Sequence, residues 1–182
     1  MLNMKSKNTR IVFKILRMLV WVIFVGLSID AGILLLNVSF NVVKPEWVGY
    51  VSSKPDLTGL YAQRPSVFFG VSSLLVAVTV LKASLFYILI RFMYKLDLSR
   101  PFNDFAVRQI LQLSYFTLSI GLLSYIGDQF CKIALHHNDI LGDLSRYWDD
   151  GQAFILMGMV VYVIAAIFKT GVDIQNENKL TI

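Results

Sequence analysis

The stretch from Met18 to Phe40, MLVWVIFVGLSIDAGILLLNVSF, decides the fold of this chain. A helix needs about 20 mainly apolar residues to cross the hydrocarbon core of a bilayer, and this stretch meets that length with a single charged residue, Asp30. The apolar core of a secretory signal peptide is shorter, about 7–15 residues, and leads into small residues at a cleavage site. We therefore predict a retained membrane-spanning helix.

Three further apolar stretches follow the first one. Of the 182 residues, 56% are hydrophobic and 16% are charged, and the mean hydropathy is +0.63. A soluble domain carries about 25% charged residues, so the composition indicates a membrane protein. The sequence predicts an all-α integral membrane bundle of four transmembrane helices in a single domain, residues 1–182. Its parts are spans at 18–40, 67–90, 110–127 and 152–168, outer loops at 41–66 and 128–151, a cytoplasmic loop at 91–109 and a cytoplasmic tail at 169–182.

Lysine and arginine residues are distributed unevenly between the two sides of these spans. Eleven lie in the N-terminal segment, the middle loop and the C-terminal tail, and five lie in the other two loops. Because cytoplasmic flanks carry an excess of Lys and Arg, both termini and the middle loop are predicted to be cytoplasmic. Trp47 and Trp148 would then lie at the outer interface and Trp21 at the inner one. The net charge of +5 thus indicates a lipid bilayer rather than a direct nucleic-acid partner.

Small and polar residues recur at helical spacing within each span. Lipid tails give helices no hydrophobic reason to associate, so small residues and hydrogen bonds mark the packed faces. The predicted stripes are Ser114, Thr117, Gly121 and Ser124 in the third span; Gly151, Gly158 and Ala165 in the fourth; Gly26, Asp30 and Asn37 in the first; and Ser72, Thr79 and Lys82 in the second. We interpret them as bundle packing, with a polar path for a solute as the alternative.

Two ionisable residues lie inside the predicted spans. Asp30 and Lys82 are at similar depths, roughly 20 Å and roughly 13 Å from the inner edge at the helical rise per residue. A charge at the bilayer centre is costly, so such groups usually pair. We predict an ion pair between Asp30 and Lys82. A lysine that extends alone to the interface and a proton or ion relay are the alternatives.

The middle loop contains a short amphipathic segment that leads into the third span. Ser99 is a candidate N-cap, with Pro101 in the first turn of the helix. Asp104 would also lie in the first turn, where the helix dipole favours an acidic side chain. Phe102, Phe105 and Ala106 form an apolar strip. Membrane anchoring is the simpler interpretation of this strip, and docking of a cytoplasmic partner is the functional one.

The sequence contains none of the common motifs for nucleotide binding, acyl transfer or zinc proteolysis, so an enzyme, a cofactor and a catalytic residue are not expected. The second outer loop holds His136, His137, Asp139 and Asp143, but their spacing matches no established metal site, and no metal is predicted. The single cysteine, Cys131, excludes a disulfide within the chain.

The C-terminal stretch FILMGMVVYVIAAIFKTGVDIQNENKLTI resembles the end of the DUF2975 family of small bacterial membrane proteins. The resemblance rests on a basic residue and a glycine after the last span, an acidic or amide pair and a terminal aliphatic sequence, and on the middle-loop sequence from Arg100 to Phe102. The matching C-terminal residues are Lys169, Gly171, Gln175, Glu177, Asn178, Leu180, Thr181 and Ile182. Asn176, where the family often has an acid, and the long first outer loop depart from the pattern.

The resemblance implies four spans in a bacterial cytoplasmic (inner) membrane and a pairing with regulatory proteins. Our first functional hypothesis is therefore a non-enzymatic regulatory or interaction protein. Its cytoplasmic partner would dock on the tail residues Gln175, Glu177, Asn178, Leu180 and Thr181. The second hypothesis is a small transporter or permeation subunit with a polar path near Asp30 and Lys82. Four short spans enclose little room, so this second hypothesis calls for a homo-oligomer.

Overall fold

The computed structural model describes residues 2–43, 57–96, 102–135 and 144–180, and every regular element among them is a helix. Four of these helices are long and apolar enough to cross a membrane, which confirms the predicted all-α bundle of four membrane-spanning helices. The elements are α1 (Leu2–Val43), α2 (Thr58–Gln63), α3 (Pro65–Lys95), α4 (Asp104–Ala134) and α5 (Gly151–Leu180).

The long helices pack in chain order, each antiparallel to the next. α1 packs on α3, α3 on α4, and α4 on α5, and the α4–α5 contact is the most extensive. Within the described residues, α1 and α5 share no comparable contact, so the bundle is an open row. Both termini lie at the same end of this row, which we call the terminal end; the opposite end, where α2 packs on α3, is the α2 end. Three contacts near helix ends define the arrangement: Arg17 with Met93, Arg64 with Ala134, and Phe102 with Phe168.

α4 is a single helix that includes both the predicted lead-in segment and the third span. Its N-cap is Asn103, whose side-chain oxygen accepts a hydrogen bond of 2.8 Å from the backbone N–H of Ala106. This cap corrects the prediction of Ser99, which lies outside the described residues together with Pro101. Asp104 does lie in the first turn, as predicted, where the helix dipole favours an acid.

α5 continues well beyond the predicted end of the fourth span. Because a glycine after an apolar run commonly ends a helix in the left-handed conformation, Gly171 is the end that its sequence position predicts. Instead the helix runs through it to Leu180. The structure favours a glycine at position 171 for a different reason, because a Cβ atom there would lie 3.0 Å from the ring of Phe102. The predicted tail is therefore a helical extension of α5 at the terminal end.

The hydrophobic core lies toward the α2 end. Phe68, Val71 and Leu75 of α3 are fully buried there against Ile120 of α4 and Leu144. A smaller cluster around Val20, Ile90 and Met93 lies between α1 and α3 at the terminal end. Leu34 of α1 and Val78 of α3 belong to the larger cluster, which therefore extends into the α1–α3 contact.

Candidate functional site

The predicted small-residue stripe of α4 faces α5 along its whole length. Ser114, Thr117, Gly121 and Ser124 are all buried. The Ser114 hydroxyl donates a hydrogen bond of 2.9 Å to the carbonyl of Gly158. A Cβ atom on Gly121 would lie 2.7 Å from the backbone nitrogen of Ile155, so the two backbones approach too closely for any side chain there. The packing interpretation of this stripe is confirmed.

The matching stripe of α5 is also buried. Gly151, Gly158 and Ala165, seven residues apart, are joined by Val172 at the same spacing. A Cβ atom on Gly158 would lie 3.0 Å from the backbone nitrogen of Leu118. Small residues on both helices thus let α4 and α5 pack closely, which is how helices associate without a hydrophobic drive in lipid.

α5 begins part-way along α4, not at its end. Gly151, its first residue, lies against Ser124, whereas α4 continues to Ala134, about 15 Å further at the helical rise per residue. The turn from Leu144 to Asp150 that precedes α5 therefore lies inside the bundle. Trp148 of this turn is only 3% exposed. It packs so closely on Gly127 that a Cβ atom there would lie 2.6 Å from the indole ring, so Trp148 is buried in the protein, and its predicted depth at the outer interface stays a prediction.

The inward turn brings Asp150 to Lys82 of α3. The Lys82 Nζ atom lies 2.7 Å from an Asp150 carboxylate oxygen and 5.4 Å from the centre of the Phe154 ring. The side chain of Lys82 is 17% exposed and that of Asp150 is 45% exposed. Asp150, and not Asp30, is therefore the ion-pair partner of Lys82. The sequence analysis had assigned Asp150 to an outer loop, where it could not have reached this depth.

Asp30 and Lys82 nonetheless line one recess. The recess has a volume of about 400 Å³ and lies between α1, α3 and the Leu144–Asp150 turn. Neither the Asp30 carboxylate nor the Arg146 guanidinium makes a hydrogen bond or an ion pair among the described residues. The lining residues are Leu27, Asp30, Ile33, Leu34, Thr79, Lys82, Arg146 and Tyr147.

Two acidic and two basic side chains surround the recess, but only one acidic and one basic side chain are in contact with each other. One charge at the bilayer centre costs about 2.5–3.5 kcal/mol on insertion scales, which explains why Lys82 and Asp150 pair. The second carboxylate oxygen of Asp150 is buried and has no hydrogen-bond donor in the described part of the chain. Asp30 and Arg146 form a second, separated pair of opposite charges. The recess therefore brings four charged side chains, two acidic and two basic, close to one another.

The other predicted stripes have mixed outcomes. On α3, Ser72 and Thr79 are buried as expected. On α1, Gly26 faces open space, so the packing prediction for it is wrong. Asn37 is buried, and the sequence analysis missed its partner Asn41, whose amide nitrogen donates a hydrogen bond of 2.7 Å to the Asn37 side-chain oxygen. The spacing of four residues between two asparagines in an apolar helix was the available signal.

The terminal end has a surface built from the start of α4 and the end of α5. The Phe102 and Phe168 rings lie 5.0 Å apart, and Phe102 also covers Gly171. Beyond the buried Val172, residues 173–177 of α5 are exposed. Of the predicted docking residues, Gln175 and Glu177 belong to this exposed helix. Asn178 and Leu180 belong to its last turn, and Thr181 lies outside the described residues.

No group of three His, Cys, Asp or Glu residues that could hold a metal ion occurs within the described ranges. The predicted polar loop residues His136, His137, Asp139 and Asp143 lie outside those ranges. Cys131 is a buried free thiol next to the core. It acts as a small apolar residue there, as buried cysteines usually do.

No protein-family model, curated protein or solved structure matches this chain. The resemblance to the DUF2975 family is therefore neither supported nor refuted and stays a prediction. The function has to be inferred from the helices, the terminal-end surface and the recess.

Proposed function

We propose that this chain is a multi-pass protein of a bacterial cytoplasmic membrane, with both termini inside, that acts as a non-enzymatic regulatory or interaction protein. One observation carries the proposal: α5 extends past its last buried residue, Val172, as an exposed helix at the terminal end. An exposed helix that is attached to a rigid bundle is a ready surface for a protein partner.

The charge distribution supports a cytoplasmic position for this surface. The terminal end carries most of the Lys and Arg residues of the chain, including Arg17, Arg91, Lys95, Arg108 and Lys169. Such an excess is typical of the cytoplasmic side. A partner that docks on the α5 extension would then be a cytoplasmic protein.

α5 also links the recess to the proposed docking surface. Its first turn follows Asp150, which pairs with Lys82, and its last turns form the exposed extension. α5 is one continuous helix from the residue after Asp150 to the extension, so the Lys82–Asp150 pair and the proposed docking surface are connected through a single element, which gives a regulatory protein a means of transmission.

The test is a crosslinking pull-down from native membranes. It compares the full-length chain with a chain that ends at Asp173, which keeps the buried Val172 and the Phe102–Phe168 contact. We expect a cytoplasmic protein to be captured by the full-length chain and lost with the shortened one. A matched control is the full-length chain with Gln152→Ala at the exposed start of α5, which leaves the extension intact. Equal capture by the shortened chain would contradict the proposal.

A second candidate function is a small transporter or permeation subunit, and the recess favours it. Recesses of about 300–1,000 Å³ with a few converging polar groups are typical of small-molecule sites. The open row of helices leaves the recess without a wall from α5, so transport would need a homo-oligomer. Flux in proteoliposomes should fall with Asp30→Asn and be unaffected by removal of residues 174–182. The opposite pattern would exclude transport through this region.

A further inference from the structure

Two opposite charges without a partner face the same space in this protein. Asp30 on α1 and Arg146 on the turn before α5 both line the recess, and neither makes an ion pair or a hydrogen bond with any residue the structure describes. Lys82, the third charge of the lining, is already neutralised by Asp150 at 2.7 Å. One negative and one positive group are therefore left to act on whatever occupies the recess.

A ligand with a single charge would satisfy only one of these groups. An anion bound to Arg146 would face the carboxylate of Asp30, and a cation bound to Asp30 would face the guanidinium of Arg146. Both side chains are exposed where they line the recess, so each is accessible to a ligand, and a charge without a partner in a membrane-spanning region is costly. A molecule that carries both an ammonium group and an acidic group removes both unpaired charges at once, and electrostatic complementarity favours it over either single ion.

The rest of the lining suits the uncharged part of such a molecule. Leu27, Ile33 and Leu34 contribute an apolar side from α1. A volume of about 400 Å³ accommodates a small molecule with a short aliphatic group. The lining thus combines an aliphatic side with charged groups that would fix the orientation of a ligand.

We infer that the recess binds a small zwitterion, whose ammonium group contacts Asp30 and whose carboxylate or phosphate group contacts Arg146. Two sources offer this chemistry: a free amino acid and the headgroup of a phosphoethanolamine lipid. The inference adds a ligand class to the region used by the second candidate function. It requires binding only, so binding without flux would contradict transport and leave the site in place.

The test is equilibrium binding to the full-length protein in detergent. The probes are leucine and phosphoethanolamine, one for each source. 4-Methylpentanoate and isoamylamine are the matched probes that keep the leucine side chain but carry only one charge. We expect at least one zwitterion to bind about 10-fold or more tightly than either single-charge probe, since a single-charge probe leaves one charged group unpaired. The zwitterion that binds identifies the source.

Two variants should change which probe the site prefers. Asp30→Asn removes the group that repels an anion, so the preference should move toward 4-methylpentanoate. Arg146→Gln should move it toward isoamylamine. A misfolded variant would lose binding of every probe, so a change of preference from the zwitterion to a single-charge probe shows that the variant is folded. Because neither side chain has a partner in the described structure, the unfolding temperature without probe should not fall in either variant.

The control variants remove the same two charge types outside the recess. Asp128→Asn and Lys132→Gln break an exposed ion pair of 2.6 Å on α4 and should leave the selectivity as in the unaltered protein. The inference is overturned if neither zwitterion binds, if a single-charge probe binds as tightly, or if the Asp30 and Arg146 variants keep the original selectivity.

Discussion

The two helices at the edges of the row, α5 and α1, are held to the bundle in different ways. α5 contacts α4 through glycines, backbone atoms and a hydrogen bond from Ser114 to Gly158. α1 contacts α3 mainly through larger side chains in two clusters, one around Val20 and one around Leu34, while Gly26 and Gly32 face open space. In lipid, close backbone approach decides which contact is tight. The α4–α5 contact is therefore the rigid part of the molecule, and the α1–α3 contact has room for the recess.

The largest effect is expected from a bulky residue in the α4–α5 contact. Gly121→Leu would place a Cβ atom 2.7 Å from the Ile155 backbone nitrogen, and backbone cannot move aside as a flexible side chain can. We expect a loss of about 3 kcal/mol in the free energy of unfolding, the upper part of the usual range for overpacking. Thermal unfolding in detergent measures it. Gly26→Leu on α1 is the matched control, and a similar loss there would remove the contrast between the two helices.

The next effect is expected from breaking the Lys82–Asp150 pair, which joins the two regions. Asp150→Asn leaves the mostly buried Lys82 ammonium group without a counter-charge, and we expect a loss of about 1–3 kcal/mol in the free energy of unfolding. Adding Lys82→Met should recover most of that loss, because replacing both charges of a buried pair is close to neutral. Unfolding curves of the single and double variants measure the coupling. Additive losses would mean that the pair contributes nothing as a pair.

The smallest effect is expected from a single hydrogen bond across the α4–α5 contact. Ser114→Ala removes the bond to the Gly158 carbonyl, and such bonds between membrane helices contribute about 0.6 kcal/mol on average. Ser28→Ala on α1 is the control, since its hydroxyl bonds only to the Phe24 carbonyl of the same helix. Thermal unfolding in detergent measures the change in the free energy of unfolding for both variants. Equal changes would show that the bond within one helix is as important as the one between helices.

Features that follow from composition and local spacing were predicted correctly. Four long apolar stretches predicted four helices, and the spacing of Ser114, Thr117, Gly121 and Ser124 predicted the face of α4 that packs. Each of these depends on distances along one helix, which sequence spacing sets directly.

Features that depend on contacts between distant segments were missed. The pairing of Lys82 with Asp150, the burial of Trp148 and the role of Arg146 all require the Leu144–Asp150 turn to enter the bundle. A turn with polar residues normally lies at the surface, so the sequence favoured an outer loop. The continuation of α5 through Gly171 was missed because a glycine after an apolar run usually ends a helix.

Hydropathy and helical period act locally, so the amino-acid sequence was enough to establish four apolar helices and the small-residue face of α4. Where α5 starts along α4 depends instead on contacts between segments that are distant in the sequence. That position follows from Gly121, Gly127 and Gly151, where the close approach of Ile155, Trp148 and Ser124 excludes larger side chains. By setting the depth of Asp150 and Arg146, it also determined which charges pair and which remain to face the recess.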